Sequence, residues 1–350
     1  MSENNKPRVV VFLGAGVTKP LGIPTSGEFF IDKCFEKFKE TSTFLKIAEE
    51  LDVSPESADL EQVLIKVENS RAVISDSNVV KREEAEARVR LGDEIHSLVY
   101  QKCTSFNQKT CFDHYDGLFI NLRRHHTSHL AIFTTNYDRT IEYYFRKQTP
   151  ENFEGAWNFE GIRLWDGFAK NPEGGLIWRE WGYGPRANEI ANNFWDIPLY
   201  KIHGSIGWIK KDNSVIEVSG DIVDKIGYPP LVIFPGVKGL PDHQICRYCR
   251  DKLRDELEKA DCVVVIGFSF RDDYIAEIFE QALARNKKLN ITTIMPGDWS
   301  TDSKVKDYRT LLSKIEKINC CFGNTPGQKY AKLIYYDIHT KQVRPTRIEF

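Results

Sequence analysis

The sequence predicts an α/β protein with a doubly wound, mainly parallel sheet. Short β-branched runs alternate with helical patterns along the chain, and several runs are apolar throughout, which is typical of strands buried on both faces. A helix predicted over Asp272–Leu283 joins the last two runs into a βαβ unit, and an aspartate stands at its start. The fold expected is therefore Rossmann-like. The predicted core strands are Arg8–Leu13, Leu130–Thr135, Leu199–His203, Leu231–Phe234, Cys262–Gly267 and Ile291–Met295.

The first predicted strand ends in a glycine turn. It runs into Gly14-Ala15-Gly16-Val17-Thr18, and Gly22-Ile23-Pro24 follows. One glycine lets the backbone turn without a Cβ clash, and a second lets the main chain approach a pyrophosphate, whose charge a helix N-terminus favours. The full Gly-x-Gly-x-x-Gly spacing is absent, so the glycines alone are a weak signal of a dinucleotide site. Thr134-Thr135-Asn136-Tyr137-Asp138 and Ile202-His203-Gly204-Ser205, at the ends of two other strands, strengthen it.

Three segments interrupt the alternation of strands and helices within one domain that spans residues 1–350. Residues 28–128 are interpreted as a helical module inserted after the first strand. Residues 150–198 are rich in glycine, asparagine and aromatics, and this insertion is either a lid or oligomer contact, or an irregular loop that its aromatics hold on the core. Residues 299–350 are expected to form a helix and a terminal hairpin.

The composition is that of a globular chain: 350 residues, 41% hydrophobic and 28% charged, with a net charge of −2. Lysine and arginine are scattered, so direct nucleic-acid binding is not expected. No apolar stretch approaches the ~20 residues that span a bilayer and no signal-peptide core precedes the first strand, so we expect a cytoplasmic protein with no membrane association. Its eight cysteines are mostly isolated in apolar stretches, which predicts buried free thiols rather than disulfides.

Taken in order, four motifs resemble the sirtuin superfamily over most of the chain. They are Gly14–Thr18 with Gly22–Pro24, Thr135–Asp138, His203-Gly204 and Gly267-Phe268-Ser269-Phe270. The resemblance implies a nucleotide site for NAD as substrate. In it, Gly14, Ala15 and Gly16 cradle the pyrophosphate with Thr18 beside them, Asn136 and Asp138 face the nicotinamide ribose, His203 is the catalytic base, and Gly267 and Ser269 contact the adenosine side.

The sequence departs from the protein-deacylase branch of that superfamily. Deacylases carry two Cys-x2-Cys zinc pairs after the His-Gly motif, whereas this chain has only Cys246 and Cys249 there. Those two cysteines either bind a metal with His243 and more distant residues, or belong to a helix that begins at His243 and continues through Leu257; we expect no metal. Thr25 follows Gly-Ile-Pro where deacylases have Asp-Phe-Arg, and Thr135-Asn136 replaces Gln-Asn. These features, with Asp272-Asp273, resemble bacterial sirtuin-like NAD hydrolases of antiphage defence.

The chemistry of NAD suits such residues. The bond from ribose C1′ to nicotinamide has a cationic leaving group and breaks through an oxocarbenium-like centre. A histidine with an ordinary pKa near ~6.5 accepts a proton from a ribose hydroxyl or from water, which is the role expected of His203. Asn136 offers both a donor and an acceptor to orient hydroxyls or water. Asp138 is a candidate for binding the carboxamide.

Each of these residues also has a purely structural interpretation. His203 could be a satisfied histidine at a strand end, and Asn136 and Asp138 could cap the helix that follows them. Ser269 and Asp272 could be only helix-start signals. The functions that remain are NAD hydrolysis, protein deacylation, ADP-ribosyl transfer and an NAD- or ADP-ribose-binding subunit of a complex. Because no effector domain is recognisable, regulation is expected from homo-oligomer assembly or a separate partner, for which the resemblance suggests a hexameric ATPase of the HerA type.

Overall fold

The protein is described by a computed structural model that covers residues 6–71, 73–74, 79–119, 122, 127–147, 157–159, 162–170, 175–180, 195–212, 214–218, 230–233, 243–297, 308–323, 330–331, 334–337, 342–345 and 348–349. These residues divide into two compact units. The first unit contains the described parts of Met1–Leu21, Asn107–Val232 and His243–Phe350, and the second contains those of Gly22–Phe106 with Ile233.

The strands follow one another through the first unit. They are β1 (Arg8–Leu13), β2 (His129–Thr134), β3 (Trp157–Phe159), β4 (Ile162–Trp165), β5 (Phe168–Lys170), β6 (Leu176–Trp178), β7 (Trp195–Lys201), β8 (Gly204–Lys211), β9 (Ser214–Glu217), β10 (Pro230–Val232), β11 (Cys262–Ile266), β12 (Asn290–Met295), β13 (Ile315–Asn319), β14 (Cys321–Phe322), β15 (Tyr330–Ala331), β16 (Ile334–Asp337), β17 (Gln342–Pro345) and β18 (Ile348–Glu349).

The α-helices are distributed over both units. They are α1 (Glu36–Lys39), α2 (Ser42–Glu50), α3 (Leu60–Arg71), α4 (Val79–Thr104), α5 (Gln108–Phe119), α6 (Thr140–Lys147), α7 (Gln244–Lys259), α8 (Asp273–Arg285) and α9 (Arg309–Lys314). Short 3₁₀ turns follow β1 at Ala15–Val17 and Lys19–Leu21. Among the described residues, no helix is both long and apolar enough to cross a membrane.

An eight-stranded sheet forms the centre of the first unit, in the order β13-β12-β11-β1-β2-β7-β4-β3. All neighbouring strands in it pair in parallel except β3, which pairs antiparallel with β4 at one edge. Five of the six predicted core strands lie in this sheet. The predicted class, a Rossmann-like mainly parallel sheet, is therefore confirmed.

Both faces of the central strands are buried, as their apolar sequences predict. Val10 and Phe12 of β1 share a core cluster with Val263 and Val265 of β11 and with apolar residues of α7 and α8. On the other face of β1, Val9, Val11 and Leu13 are also fully buried. The helix predicted over Asp272–Leu283 is α8, with Asp272 as its N-cap.

The assignment of Leu231–Phe234 to the parallel core is wrong. Its described part, β10, pairs antiparallel with β8 in a second sheet, of order β10-β8-β9-β6-β5; Phe234 lies outside the described residues. A short apolar run has the same pattern in either kind of sheet, so periodicity could not separate them. The prediction also missed β5, β6, β8 and β9 of this sheet and the edge strand β13 of the first.

The insertion predicted over 150–198 contains strands rather than an irregular loop in its described parts. β3 and β4 extend the parallel sheet, and β5 and β6 belong to the second sheet. Trp165 at the end of β4 is 1% exposed, so it is a core residue. Residues 181–194 lie outside the described part of the chain.

The second unit is helical. α3 packs against α4 through Gly92, where an added Cβ would lie 2.3 Å from Val67 Cγ1. The segment 28–128 that the sequence indicates as a module contains α1 to α5. Of this segment, only the part up to Phe106 belongs to the second unit, so α5 belongs to the first unit. Towards the C-terminus, β16 and β17 form an antiparallel pair within 299–350.

The cysteines agree with the expectation of buried thiols. The six whose side chains are described are buried and form no disulfide bond; they are Cys103, Cys111, Cys246, Cys249, Cys262 and Cys320.

Hydrogen bonds to one carboxylate of α7 join the amino ends of β1 and β2 to this helix. Glu256 Oε2 accepts hydrogen bonds from His129 Nε2 at 2.9 Å and from Arg8 at 3.2 Å. Burial opposes ionisation of Glu256, but these two partners outweigh it and hold the pKa of the carboxyl below its ordinary value.

Replacing this carboxylate should cost stability in a pH-dependent way. Because the folded pKa is lowered, ionised Glu256 stabilises the fold above the ordinary glutamate pKa of about 4.3, and this contribution is lost as the pH falls through the lowered folded value. We expect Glu256→Gln to lower the free energy of unfolding by about 1.5–3 kcal/mol near neutral pH, and by less in acid. Urea unfolding at both pH values measures this. Glu258→Gln, which removes an exposed ion pair with Arg285, is the control. If Glu256→Gln lowers the free energy of unfolding equally at neutral and acidic pH, the prediction is contradicted.

Candidate functional site

The predicted motifs meet at one edge of the parallel sheet. β11, β1, β2 and β7 are neighbours, and the turns after them carry the four motifs. The backbone ladder continues beyond the strand ends, with Gly14 N donating to Ile266 O at 2.9 Å and Thr135 N to Leu13 O at 3.1 Å. The chain continues from β1 towards β2 on one side and returns to β11 on the other, so the crevice between β1 and β11 is a topological switch point. Open α/β sheets bind ligands at such points.

The glycines of two motifs are packed against each other. A Cβ on Gly14 would lie 2.5 Å from Gly267 O, and a Cβ on Gly267 would lie 2.5 Å from Val17 N. Gly267 also has a φ of +65°, a left-handed conformation that favours glycine. Gly16 N donates to Gly267 O at 3.0 Å, so the two turns are directly hydrogen bonded. These glycines therefore have a structural requirement in addition to any contact with a ligand.

Adding a methyl group at Gly14 should disturb this contact. We expect Gly14→Ala to lower the free energy of unfolding by about 1–3 kcal/mol because the new Cβ overlaps the backbone of Gly267 and Phe268. Thermal and urea unfolding measure the change. Gly27→Ala is the control, since the nearest atom to its Cβ position, Asp59 Oδ2, is at an ordinary 3.9 Å. If Gly14→Ala is as stable as the wild type, the close approach of Gly14 to the backbone of Gly267 and Phe268 is contradicted.

Asn136 is buried at the end of β2 with half of its amide unsatisfied. Its Nδ2 donates to Gly14 O at 3.1 Å, and its backbone N donates to Thr134 Oγ1 at 3.0 Å. Its Oδ1 is buried and has no hydrogen-bond partner among the described residues. A buried acceptor without a partner costs about 1–3 kcal/mol. The orientation of Asn136 is thus fixed by the glycine turn, and its oxygen remains available to a ligand donor.

Asp138 begins α6. Its Oδ1 accepts from Thr140 N at 3.0 Å and from Thr140 Oγ1 at 2.6 Å. Burial raises the pKa of Asp138, and Lys201 and Thr140 only partly oppose this effect. The carboxyl therefore has the helix-start role that the sequence allowed.

Lys201 connects this turn to β7. Its Nζ donates to the backbone oxygen of Asp138 and to Glu142 Oε1, the latter at 3.1 Å. The side chains of Lys201 and Glu142 are 1% and 3% exposed. Removing one member of such a pair is strongly destabilising, because it leaves the other charge buried and unpaired. Through these hydrogen bonds, Lys201 holds the turn after β2 and the start of α6 against the end of β7.

His203 occupies the turn where the chain passes from the parallel sheet to the antiparallel one. β7 ends at Lys201 and β8 begins at Gly204, which has a φ of +84°. A Cβ on Gly204 would lie 2.1 Å from Leu231 O, so only glycine fits this turn. Ile202 N donates to Thr134 O at 2.9 Å, which aligns the turn with the end of β2. The His203 side chain is 7% exposed, and its ring centroid lies 6.4 Å from that of Tyr137.

Asp272 is the charged partner of His203. Its Oδ2 lies 2.9 Å from His203 Nε2, while its Oδ1 accepts from the backbone N of Tyr274 and Ile275 at the start of α8. Burial opposes ionisation of Asp272, but His203 and the two amides outweigh it, so the pKa of this carboxyl lies below its ordinary value.

The remaining predicted residues lie in the same turns. Thr18 is buried, and its Oγ1 donates to Ala15 O at 3.2 Å, closing the turn after β1. Ser269 is partly buried and lies between Gly267 and Phe270. In contrast, Gly22-Ile23-Pro24 belongs to the second unit.

At His243, where the sequence left a metal site or a helix open, the structure has the start of a helix. His243 is the N-cap of α7, and its Nδ1 accepts from Ile245 N at 3.4 Å. Cys246 and Cys249 are fully buried residues of the same helix, as the helical interpretation predicts. Within the described ranges, no group of three or more His, Cys, Asp or Glu residues is placed to hold a metal ion.

Chemically, this edge of the sheet combines a histidine paired with a carboxylate, a buried amide oxygen and a glycine turn. A histidine oriented by a carboxylate is suited to accept a proton. An amide acceptor at a fixed position orients hydroxyl groups or water. The site is therefore equipped for proton transfer at a polar substrate.

The model of the family described as "SIR2-like domain" matches residues 130–317, which is more than half of the 350 residues. The chain belongs to this SIR2-like family. No curated protein matches its sequence.

Similar solved structures include several Sir2 proteins. One is a Sir2 homologue mutant in complex with 2′-O-acetyl ADP-ribose, with 15% identity, a TM-score of 0.41, and coverage of 89% of this chain and 94% of the other. A second is a Sir2 homologue in complex with NAD, with 14% identity, a TM-score of 0.41, and coverage of 89% and 92%. A third is Sir2 with a p53 peptide and NAD⁺, with 11% identity, a TM-score of 0.37, and coverage of 89% and 94%. At these low identities, the family assignment comes from the match over 130–317.

The sequence analysis of this SIR2-like chain missed how two residues, Asp272 and Lys201, support the site. For Asp272 the sequence left open whether it does more than begin a helix, because nothing in the linear sequence pairs it with His203. Lys201 stands in a strand predicted to be buried, and a lysine in such a run requires a partner. That requirement was a usable signal, although it does not identify Glu142.

Proposed function

We propose that this SIR2-like chain binds NAD and hydrolyses it to nicotinamide and ADP-ribose. The observation that carries the proposal is that the same edge of the sheet holds His203, paired with Asp272, and Asn136, whose buried Oδ1 has no hydrogen-bond partner among the described residues. The glycine turns after β1 and β11 lie beside them at the switch point, where a dinucleotide pyrophosphate is expected. Membership of the SIR2-like family supports NAD as the substrate.

The residues of the site match the demands of this reaction. Because nicotinamide leaves without needing much acid assistance, the protein must position the ribose and remove a proton from the incoming nucleophile. His203 accepts that proton. Asn136 orients a ribose hydroxyl or the attacking water through its free oxygen, while its Nδ2 remains on Gly14. NAD is thus a substrate here, and no resident cofactor or metal is required.

Hydrolysis rather than deacylation is favoured by the departures from the deacylase pattern. The only Cys-x2-Cys pair after His203-Gly204, Cys246 and Cys249, is buried in α7. The sequence after Gly-Ile-Pro also differs from the deacylase motif. With water in place of an acyl-lysine, the oxocarbenium-like centre yields ADP-ribose.

The proposed biological role is NAD depletion in bacterial antiphage defence. Constant NAD loss would harm the cell, so activity in the cytoplasm must be controlled by homo-oligomer assembly or by a partner. The family resemblance suggests a HerA-type hexameric ATPase as that partner. Co-purification tests this part: a chain that is fully active alone and recovers no ATPase would remove it.

Nicotinamide release from NAD by the purified chain tests the activity. We expect release without peptide, because water completes the reaction. Release only with an acetyl-lysine peptide would contradict the hydrolase proposal and support a deacylase. If neither condition gives release, even after assembly with a co-purified partner, the hydrolase proposal fails; NAD binding by calorimetry would then support a binding subunit.

Variants of the two central residues test the site. We expect His203→Ala to lower the rate of nicotinamide release by about 10²–10⁴-fold, since it removes the proton acceptor. Asn136→Ala should lower the rate by roughly 2–12-fold, since it removes a neutral hydrogen bond of about 0.5–1.5 kcal/mol. Circular dichroism checks that both variants fold. His243→Asn, which keeps a helix cap, and Asn290→Ala, at the amino end of β12, are matched controls. Near wild-type rates in either site variant would contradict the assignment.

A further inference from the structure

We infer that Asp272 is a positioning residue that sets the tautomer of His203, so that Nδ1 is the nitrogen that accepts the proton. This inference rests on the proposed function for its catalytic consequence. The tautomer itself is a property of the protein without substrate.

The contact is fixed by the anchoring of Asp272 and by the burial of both side chains. On the Asp272 side, Oδ1 is anchored by two backbone amides of α8, from Tyr274 at 3.1 Å and Ile275 at 3.2 Å. This anchor leaves Oδ2 directed at His203 Nε2, 2.9 Å away. The two side chains are only 10% and 7% exposed, so water competes little for either partner.

The backbone between β11 and Asp272 makes a tight turn. Gly267 and Phe270 both have left-handed φ angles, +65° and +57°. Phe270 is fully buried, and a bulky residue with a left-handed φ is strained. This strained turn follows β11 and places Asp272 beside His203, which follows β7. In the sheet order, β1 and β2 lie between those two strands.

The tautomer follows from the chemistry of the pair. An ionised carboxylate only accepts hydrogen bonds, so His203 Nε2 must carry the hydrogen that faces Oδ2. A neutral imidazole has one N–H, and the lone pair is therefore on Nδ1. The lowered pKa of Asp272 is consistent with its being ionised.

The reaction step that this arrangement supports is balanced in protons and electrons. As water bonds to ribose C1′ through its oxygen, Nδ1 takes one water proton, and nicotinamide leaves with the electron pair of its bond to C1′. The imidazolium is stabilised by the Asp272 carboxylate and later releases its proton to solvent. The sum is NAD⁺ and water giving nicotinamide, ADP-ribose and H⁺.

Asp272→Asn separates positioning from folding. The amides of Tyr274 and Ile275 need an acceptor, so the asparagine oxygen should stay on α8 and its NH₂ group should face His203. Nε2 then becomes the acceptor and Nδ1 carries the hydrogen, which removes the base. We expect kcat to fall about 10²–10⁴-fold while KM for NAD stays within about threefold. Asp272→Ser, which also caps a helix, removes the partner without imposing the wrong tautomer and should lose less.

Asp273→Asn is the matched control, since it changes the charge of the next residue, whose side chain faces the Tyr308 hydroxyl instead. Its kcat should stay within about twofold of wild type. Wild-type kcat in Asp272→Asn would overturn the inference, as would a loss in Asp273→Asn equal to that in Asp272→Asn.

The tautomer can be read directly by long-range ¹H–¹⁵N spectra of protein with ¹⁵N-labelled histidine, and His203→Ala identifies the signal among the eight histidines. We expect hydrogen on Nε2 in the wild type and in Asp273→Asn, and on Nδ1 in Asp272→Asn. Hydrogen on Nδ1 in the wild type would overturn the inference. This measurement needs no activity. A chain that releases no nicotinamide, even after assembly with a co-purified partner, but has the Nε2–H tautomer would contradict the proposed function and leave the positioning by Asp272 intact.

Discussion

The hydrogen-bonded contact between the turn after β1 and the turn after β11 is the constraint on which the site depends. Gly16 N donates to Gly267 O, and neither Gly14 nor Gly267 has room for a Cβ. Because Gly14 O in turn accepts from Asn136 Nδ2, the same contact sets the orientation of the asparagine and leaves its Oδ1 without a hydrogen-bond donor among the described residues. The glycines of such a loop are usually explained by the close approach of a ligand. Here they are also required by the packing of two turns of the protein against each other.

Buried charges organise the other half of the site. Lys201 binds the turn after β2 through Asp138 O and Glu142, and Asp272 binds the turn after β7 through His203. In each case, a charged group satisfies backbone atoms as well as a side chain, which is the condition under which burying a charge is tolerable. Both contacts lie at the edge where four parallel strands end, and each links a residue after one strand to a residue of another element. The geometry around His203 and Asn136 is therefore supported by several elements rather than by one loop.

Much of the parallel sheet could be predicted, because five of its strands are apolar on both faces and are flanked by recognisable turns. The antiparallel sheet could not. β5, β6 and β9 are only three or four residues long, and β8 follows β7 with two residues between them, so the chain changes sheets without a loop to mark the change. Leu231 was assigned to the wrong sheet for the same reason, since a short apolar run does not reveal its partner. The helix starts at His243 and Asp272 were predictable because capping is local.

The sequence by itself determined the class of fold, the places where strands end and the residue types at those ends. These are consequences of local rules: burial pattern, turn chemistry and helix capping. Only the tertiary structure decided that His203 pairs with Asp272, that Asn136 keeps an unsatisfied buried oxygen, and that Gly14 and Gly267 are in contact. These depend on the order of strands in the sheet, which brings residues far apart in the chain to one edge. No periodicity or spacing in the chain specifies that order, because it results from the packing of all the strands and helices together.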